Sequence, residues 1–247
     1  MKNYLFELCV DSLRAAQAAD QGGANRIELC EKIDIGGVTP GKQLAEAAIQ
    51  ALFIPVHVLI RPHGGDFVYT AGEFDQMKEQ VQWARQAGAA GIALGVLMAC
   101  GRVDVIRSRE LVELARPMKV TFHRAFDETS NLSEALEAVI RTGADCLLTS
   151  GGAPNVLAGV EQLRKLVIQA GDRIQIMAGG GLKLDSMVEV LQRTGLRCLH
   201  GSLTRDAGEC VPESAIEDQA DRKAKILEAD VRVAMLLLRG YFAAGTI

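Results

Sequence analysis

Short apolar runs alternate with amphipathic segments along almost the whole chain. Leu132, Leu136 and Val139, for example, lie at i, i+4 and i+7, the spacing of a helix with one buried face. Segments of this kind separate eight apolar-rich runs that we predict to be strands. These runs are Tyr4–Val10, Arg26–Cys30, Val56–Arg61, Gly91–Leu97, Lys119–His123, Cys146–Ser150, Ile174–Ala178 and Cys198–Ser202. Eight such β-α units predict a single-domain (β/α)8 TIM barrel over residues 1–247.

A repeated motif supports this fold. A glycine followed by a short turn and then an apolar run recurs at Gly23, Gly88, Gly143 and Gly195. We interpret each glycine as a helix end that leads into an even-numbered strand. An open doubly wound sheet is the alternative, but no G-x-G-x-x-G motif follows the first strand. The pattern therefore favours the closed barrel.

One segment interrupts the alternation near the end of the chain. Leu203–Arg222 is polar and contains Gly208, Pro212 and several acidic residues. A helix rich in apolar residues is predicted to follow it at Lys223–Leu238. This polar excursion either covers the barrel or contacts a partner subunit, or it is a surface loop.

Composition and charge narrow the class of protein. The chain is 49% hydrophobic and 23% charged, with a net charge of −4, so nucleic acid and anionic membrane surfaces are not expected as partners. The N-terminus lacks the pattern of a signal peptide. No apolar stretch is as long as a membrane span, which needs about 18 residues. The six cysteines form no C-x-x-C pair. We therefore expect a cytoplasmic protein with reduced thiols.

Alternation within each strand predicts which side chains point into the barrel. Apolar side chains on the other face pack against the helices, so the inward face is found by elimination. The predicted inward set is Glu7, Cys9, Glu28, Cys30, His57, Leu59, Arg61, Thr121, His123, Leu147, Thr149, Gln175, Met177, Cys198 and His200. Barrel interiors are normally filled by branched apolar residues. The charged members must therefore pair in a structural network or line a wet functional cavity, because isolated buried charges are costly. His57 lies near the start of its strand and is expected to be structural.

The run Thr121-Phe-His-Arg-Ala-Phe-Asp127 carries candidate chemistry where the fifth strand ends. His123 is predicted to face the barrel mouth, with Arg124 and Asp127 at its rim. His123 and Glu28 are candidate general acids or bases. Asp127 is expected to orient His123 or to receive a substrate hydroxyl.

Three further strand ends are rich in glycine. Glycines let backbone N–H groups approach an oxyanion, and barrels of this kind often bind phosphate after strands seven and eight. Tight turns that require positive φ are the alternative explanation. We also expect Arg61 to hold an anion with two nitrogens. The predicted anion or ligand residues are Glu7, Arg61, Arg124, Ser150, Gly151, Gly180, Gly181, His200, Gly201 and Ser202.

Two cysteines suggest a metal site. Cys9 and Cys30 are predicted to face inward near the ends of neighbouring strands. Two thiolates with a histidine suit Cu(I) or Zn²⁺. Buried cysteines that act only as small hydrophobic residues are the alternative.

Four motifs together resemble the CutC family, whose members are named copper homeostasis proteins. They are Ile60-Arg-Pro-His-Gly-Gly-Asp-Phe67, Thr121–Asp127, Leu148-Thr-Ser-Gly-Gly152 and Ile176-Met-Ala-Gly-Gly-Gly181. The resemblance implies a cytoplasmic TIM barrel, often a homodimer, with a role in copper tolerance or Cu(I) handling. This chain has His63 in the first motif, where the family usually has arginine.

Three functions remain open from the sequence. One is a copper-binding protein that uses Cys9 and Cys30. Another is an enzyme that acts by acid/base chemistry on a small phosphorylated or carboxylated metabolite through His123, Glu28 and Arg61. A ligand-binding barrel without chemistry is the remaining one.

Overall fold

The eight predicted strands pair in chain order and close into a parallel barrel. The computed structural model describes residues 4–203 and 228–245. The strands are β1 Leu5–Val10, β2 Arg26–Leu29, β3 Val56–Leu59, β4 Gly91–Leu94, β5 Lys119–Phe122, β6 Cys146–Thr149, β7 Gln175–Gly179 and β8 Cys198–Gly201. The helices are α1 Leu13–Gly22, α2 Lys42–Ala51, α3 Ala71–Gln86, α4 Val105–Ala115, α5 Leu132–Thr142, α6 Val160–Ala170, α7 Met187–Thr194 and α8 Glu228–Ala243. The predicted (β/α)8 barrel is confirmed.

Most predicted strands extend one to three residues beyond the observed ones at their carboxyl ends. Arg61, His123 and Ser150 therefore lie just past their strands. Short 3₁₀ turns follow β2 at Ile33–Ile35 and β5 at Arg124–Glu128. We call the carboxyl ends of the strands, with the loops that follow them, the mouth.

The repeated glycines occupy the positions that the repeat predicts. Gly23, Gly143 and Gly195 directly follow α1, α5 and α7, and all have positive φ. Gly88 lies two residues beyond the end of α3 and also has positive φ. The left-handed conformation costs glycine little, so each of these helices can stop and turn into the next strand.

Two separate kinds of core fill the molecule. The larger one lies between strands and helices and contains the outward side chains of the strands, including Ile27, Val58 and Phe122. Two small clusters lie inside the barrel instead. One, near the mouth, contains Cys9, Cys30, Leu59 and Ala93, and the other, near the amino ends of the strands, contains Cys146, Leu148, Met177 and Cys198. Strand alternation thus predicted the inward face correctly in β1, β2, β3, β5 and β8.

The prediction for β6 was wrong. Leu147 belongs to the core against the helices, whereas Cys146 and Leu148 face the interior. Thr149 also points away from the interior cluster and donates its hydroxyl to Asp127. The reason is that both faces of this parallel strand are buried and apolar, so alternation carries no signal.

The polar excursion at 203–222 lies outside the described residues apart from Leu203, which is buried. The predicted last helix corresponds to α8, and residues 223–227 of that prediction also lie outside the described part. Among the described residues, no helix has both the length and the apolar character needed to cross a bilayer.

Candidate functional site

A buried ionic group lies beneath the mouth, and Glu7 is its centre. Glu7 is fully buried and accepts a hydrogen bond from Arg26 Nε. Its other oxygen lies 2.8 Å from His200 Nδ1, and His57 Nδ1 lies 3.8 Å from Glu7 Oε2. Burial raises the pKa of Glu7, but Arg26, His200 and His57 outweigh it and hold this pKa well below its usual range. We call these four residues the Glu7 cluster.

Glu7 was predicted to bind a ligand, but it lies outside the wall of the mouth cavity. Its carboxylate is used by Arg26 and His200, and Glu7 does not line the cavity at the mouth. His57 belongs to the same cluster, which agrees with the structural role expected for it. Arg26 was missed, although alternation in β2 points it inward together with Glu28.

A cavity of about 280 Å³ opens at the mouth. It brings together ten of the predicted site residues: Cys9, Glu28, Arg61, His123, Arg124, Gly180, Gly181, His200, Gly201 and Ser202. Ile33, Gly36, Leu59, Phe67 and Leu148 complete the wall. Of these, Phe67 had a signal in the sequence, since it ends the motif that follows the third strand. Residues far apart in the chain thus share one small chamber.

A thiol, a carboxylate and an imidazole of the cavity wall lie close together, next to a second buried thiol that is not part of the wall. Cys9 Sγ lies 3.5 Å from Cys30 Sγ. Ligand atoms of Cys9, Glu28 and His200 all lie within 4.8 Å of one another, and all three residues are buried. Two soft sulfur ligands beside a histidine and a carboxylate form a donor set for a soft or borderline metal ion.

The electrostatics of these groups follow from burial. The hydrogen bond that the Cys9 thiol donates to Cys30 and the desolvation of Cys9 raise the pKa of Cys9 well above its usual value. Burial raises the pKa of Glu28 to about 7. Burial lowers the pKa of His200, but Glu7 and Glu28 outweigh it, so the net direction is upward. Cys9 is therefore a neutral thiol at neutral pH, and Glu28 is poised to exchange a proton.

His123 presents a hydrogen-bond donor at the mouth. Its Nδ1 accepts a hydrogen bond from the Ala125 N–H at 3.2 Å, so the proton of the neutral ring lies on Nε2. Burial and the charge of Arg61 lower the pKa of His123 to about 3. Its Nε2 is buried and has no hydrogen-bond partner among the described residues. A neutral ring of this kind donates a hydrogen bond and does not readily accept a proton.

The terminal nitrogens of Arg61 bond to the protein itself, whereas the sequence predicted that two of its nitrogens would hold an anion. Its Nη1 donates to the carbonyl of Gly37 at 2.8 Å and to that of Ile35 at 3.2 Å. Its Nη2 donates to the Gly65 carbonyl at 2.8 Å. Both terminal nitrogens thus tie two mouth loops together, and Nε has no hydrogen-bond partner within residues 4–203 and 228–245.

The carboxylate oxygens of Asp127 accept hydrogen bonds from nearby residues. It accepts from Arg124 Nε at 2.9 Å, from the Ser150 N–H at 3.0 Å and from the Gly152 N–H at 3.0 Å, in addition to the Thr149 hydroxyl. The expectation that it orients His123 is replaced by another role. Asp127 fixes the loop after β6 and holds the guanidinium of Arg124 at the cavity.

Ser150 and Gly151 do not contribute to the cavity as predicted. The Ser150 N–H is used by Asp127, and the Gly151 N–H donates to Thr149 Oγ1 at 2.8 Å. Gly151 and Gly152 have positive φ, so the tight-turn explanation applies to this loop. Gly180 and Gly181 do line the cavity, and a Cβ at Gly180 would lie 2.9 Å from the Arg124 guanidinium carbon.

His63, which replaces the arginine usual in the third-strand motif, lies outside the cavity lining. Its Nδ1 is 2.7 Å from the Gly64 carbonyl, and its Nε2 is 3.4 Å from Glu73 Oε1. The His63 side chain therefore does not form part of the cavity wall.

The fold and the site together define a class: a (β/α)8 barrel whose mouth combines a thiol pair, a histidine, a carboxylate and two arginines. Comparison with known proteins makes this class specific, since the model of the CutC family matches residues 4–205. A CutC family protein of Mesorhizobium japonicum is 43% identical over 202 residues, covering 82% of this chain and 78% of its own. One of Bacteroides fragilis is 41% identical over 203 residues, covering 82% and 81%. The chain belongs to the CutC family.

Solved structures agree at the level of the fold. A CutC protein of Streptococcus agalactiae, named for copper homeostasis, superimposes with a TM-score of 0.77 at 29% identity, covering 81% of this chain and 98% of its own. Thiamine phosphate pyrophosphorylase of Pyrococcus furiosus gives a TM-score of 0.63 at 16% identity, with coverages of 97% and 98%. The second likeness shows the barrel fold alone.

Proposed function

We propose that this protein binds Cu(I) at its mouth and acts in copper homeostasis, as the name of its family suggests. One observation carries the proposal. The sulfur atoms of Cys9 and Cys30 lie 3.5 Å apart, and the ligand atoms of Glu28 and His200 lie within 4.8 Å of the Cys9 sulfur. Thiolates are the ligands that Cu(I) prefers, and imidazole also suits copper.

The chemistry of loading follows from the protonation states. Copper binds the thiolate, so the thiol protons must leave when the ion arrives. Glu28 lines the same cavity, and its pKa of about 7 allows it to accept a proton at neutral pH. Cys9 would then release its proton towards Glu28 while copper replaces it on sulfur.

The reduced state of the two cysteines also fits this role. Their sulfur atoms are farther apart than the about 2.05 Å of a disulfide, so both are free thiols. We propose the cytoplasm as the place of action, because thiols stay reduced there. Assembly as a homodimer stays a prediction from the family resemblance.

An anaerobic titration with Cu(I) against a competing chelator tests the proposal. We expect one tightly bound ion per chain, and Cys9→Ser and Cys30→Ser to weaken binding by more than about 100-fold, since even outer-shell changes cost 10- to 100-fold. Cys100→Ser is the matched control, because Cys100 is an exposed free thiol outside the cavity. If both core variants bind Cu(I) as tightly as this control, the proposal fails.

An enzyme acting on a small anionic metabolite takes second place. Glu28 has a suitable pKa of about 7 for proton transfer. His123, however, has a pKa of about 3 and stays neutral, and Asp127 is fully used by its neighbours. Of the three acid/base candidates predicted from the sequence, Glu28 is therefore the one that remains.

A further inference from the structure

Arg61 carries a buried positive charge for which the described residues provide no counter-ion. Only 5% of the residue is exposed, and its terminal nitrogens bond three neutral carbonyl groups. Among the ion pairs of residues 4–203 and 228–245, none joins a carboxylate to Arg61 within 4.0 Å. Arginine cannot lose its proton in a protein. An isolated charge of this kind is costly unless an anion accompanies it.

A second buried donor lies beside this charge. His123 Nε2 has no partner in the part of the chain that the structure describes, and the charge of Arg61 acts on the His123 ring. Both residues line the mouth cavity. A buried donor left without a partner costs about 1–3 kcal/mol. One oxyanion bound between the two residues would balance the charge of Arg61 and accept a hydrogen bond from His123 Nε2.

The remaining charge around the cavity also favours an anion. Arg124 is the second arginine in its wall, and Asp127 holds its guanidinium against Gly180. Among the described lining residues, Glu28 is the one carboxylate. Because Arg124 is already ion-paired with Asp127, Arg61 is the positive charge of this wall that has no ionic partner among the described residues.

The ring of Phe67 covers the two donors. Its centroid lies 4.7 Å from the Arg61 guanidinium carbon and 5.0 Å from the centroid of the His123 ring. Arg61 Nε and His123 Nε2 are both shielded from solvent. Phe67 belongs to the loop between β3 and α3, and its ring lines the same cavity as both donor residues.

From this geometry we propose that the mouth holds a second binding site, for the phosphate or carboxylate group of a small molecule, between Arg61, His123 and Arg124, with Phe67 as its cover. The volume of about 280 Å³ limits the ligand to a compact molecule. Ile33 and Leu148 supply apolar wall for its carbon skeleton. This site does not rest on copper binding.

Calorimetric titration of the full chain with inorganic phosphate and, separately, with acetate tests the proposal. At least one of the two is expected to bind saturably at one site per chain. His123→Asn should weaken that binding by about 10- to 100-fold, because it removes one hydrogen bond to a charged group. Asparagine keeps an acceptor at the place of Nδ1 for the Ala125 N–H, so the local fold is preserved.

Two further variants make the outcome decisive. His63→Asn is the matched control, since His63 lies at the mouth but outside the cavity lining, and it should bind like the parent. Arg124→Gln should weaken binding as His123→Asn does, and it serves if the latter fails to fold. Absence of saturable binding by either anion would overturn the proposal, and so would equal affinities in parent, His123→Asn and Arg124→Gln.

Discussion

Replacing Glu7 by glutamine tests whether the Glu7 cluster holds the barrel together. The change preserves the size of the side chain and removes its negative charge. Arg26, whose side chain is only 11% exposed, would then keep a buried charge without its carboxylate. Removing one partner of a buried ion pair destabilises proteins by about 3–5 kcal/mol.

The expected effect is large for a chain of this size. A loss of 3–5 kcal/mol corresponds to a fall in melting temperature of about 6–20 °C, at about 2–4 °C per kcal/mol. Urea unfolding at pH 7.5, followed by circular dichroism, measures the free energy of unfolding directly. The slope with urea must be the same in parent and variant for the comparison to hold.

Glu137→Gln provides the matched control. Glu137 forms an ion pair with Arg173 through two nitrogens, but both side chains are substantially exposed. Solvent screens such pairs, so this variant should change stability little. If Glu7→Gln unfolds at the same urea concentration as Glu137→Gln, the Glu7 cluster does not stabilise the fold as we argue.

Two further predictions concern the packing and titration of His57. Burial lowers the pKa of His57 to about 4, so its share of the stability is present above the unfolded pKa of about 6.5 and is lost as the pH falls. Urea unfolding at pH 7.5 and at pH 5 measures this effect. Between these two pH values, the free energy of unfolding of the parent should fall by about 2 kcal/mol more than that of His57→Gln. An equal fall in both proteins would contradict the downward shift of the His57 pKa. Glu28, His123 and His200 titrate in both proteins and cancel in this comparison. Gly91→Ala should cost about 1–3 kcal/mol, because the new methyl group would overlap the His57 ring, and a thermal melt identical to that of the parent would contradict this close approach.

The sequence predicted much of the candidate site because polarity was strongly asymmetric in several strands. In β1 and β2, apolar residues on one face left Glu7, Cys9, Glu28 and Cys30 on the other. In β6 both faces were apolar, and the prediction for Leu147 failed. Alternation predicts the inward face of a strand only where the two faces differ in polarity.

Partners that are distant in the chain were outside the reach of the sequence. Glu7 and His200 are 193 residues apart, yet closure of the barrel places β8 beside β1 and brings them into contact. The same closure brings His200 to Cys9 and Glu28, which already lie on neighbouring strands. A pattern along one strand cannot report which strand lies next to it.

By itself, the sequence determined the barrel, the inward direction of most chemical groups and the pairing of Cys9 with Cys30, since these depend on local periodicity and neighbouring strands. Only the tertiary structure decided which polar groups are already used. Asp127 accepts hydrogen bonds from the loop after β6, and the terminal nitrogens of Arg61 donate to carbonyl groups, whereas His123 Nε2 has no partner in the described part of the chain. The physical reason is that a hydrogen bond depends on the distance and direction between two atoms, which only the folded chain fixes.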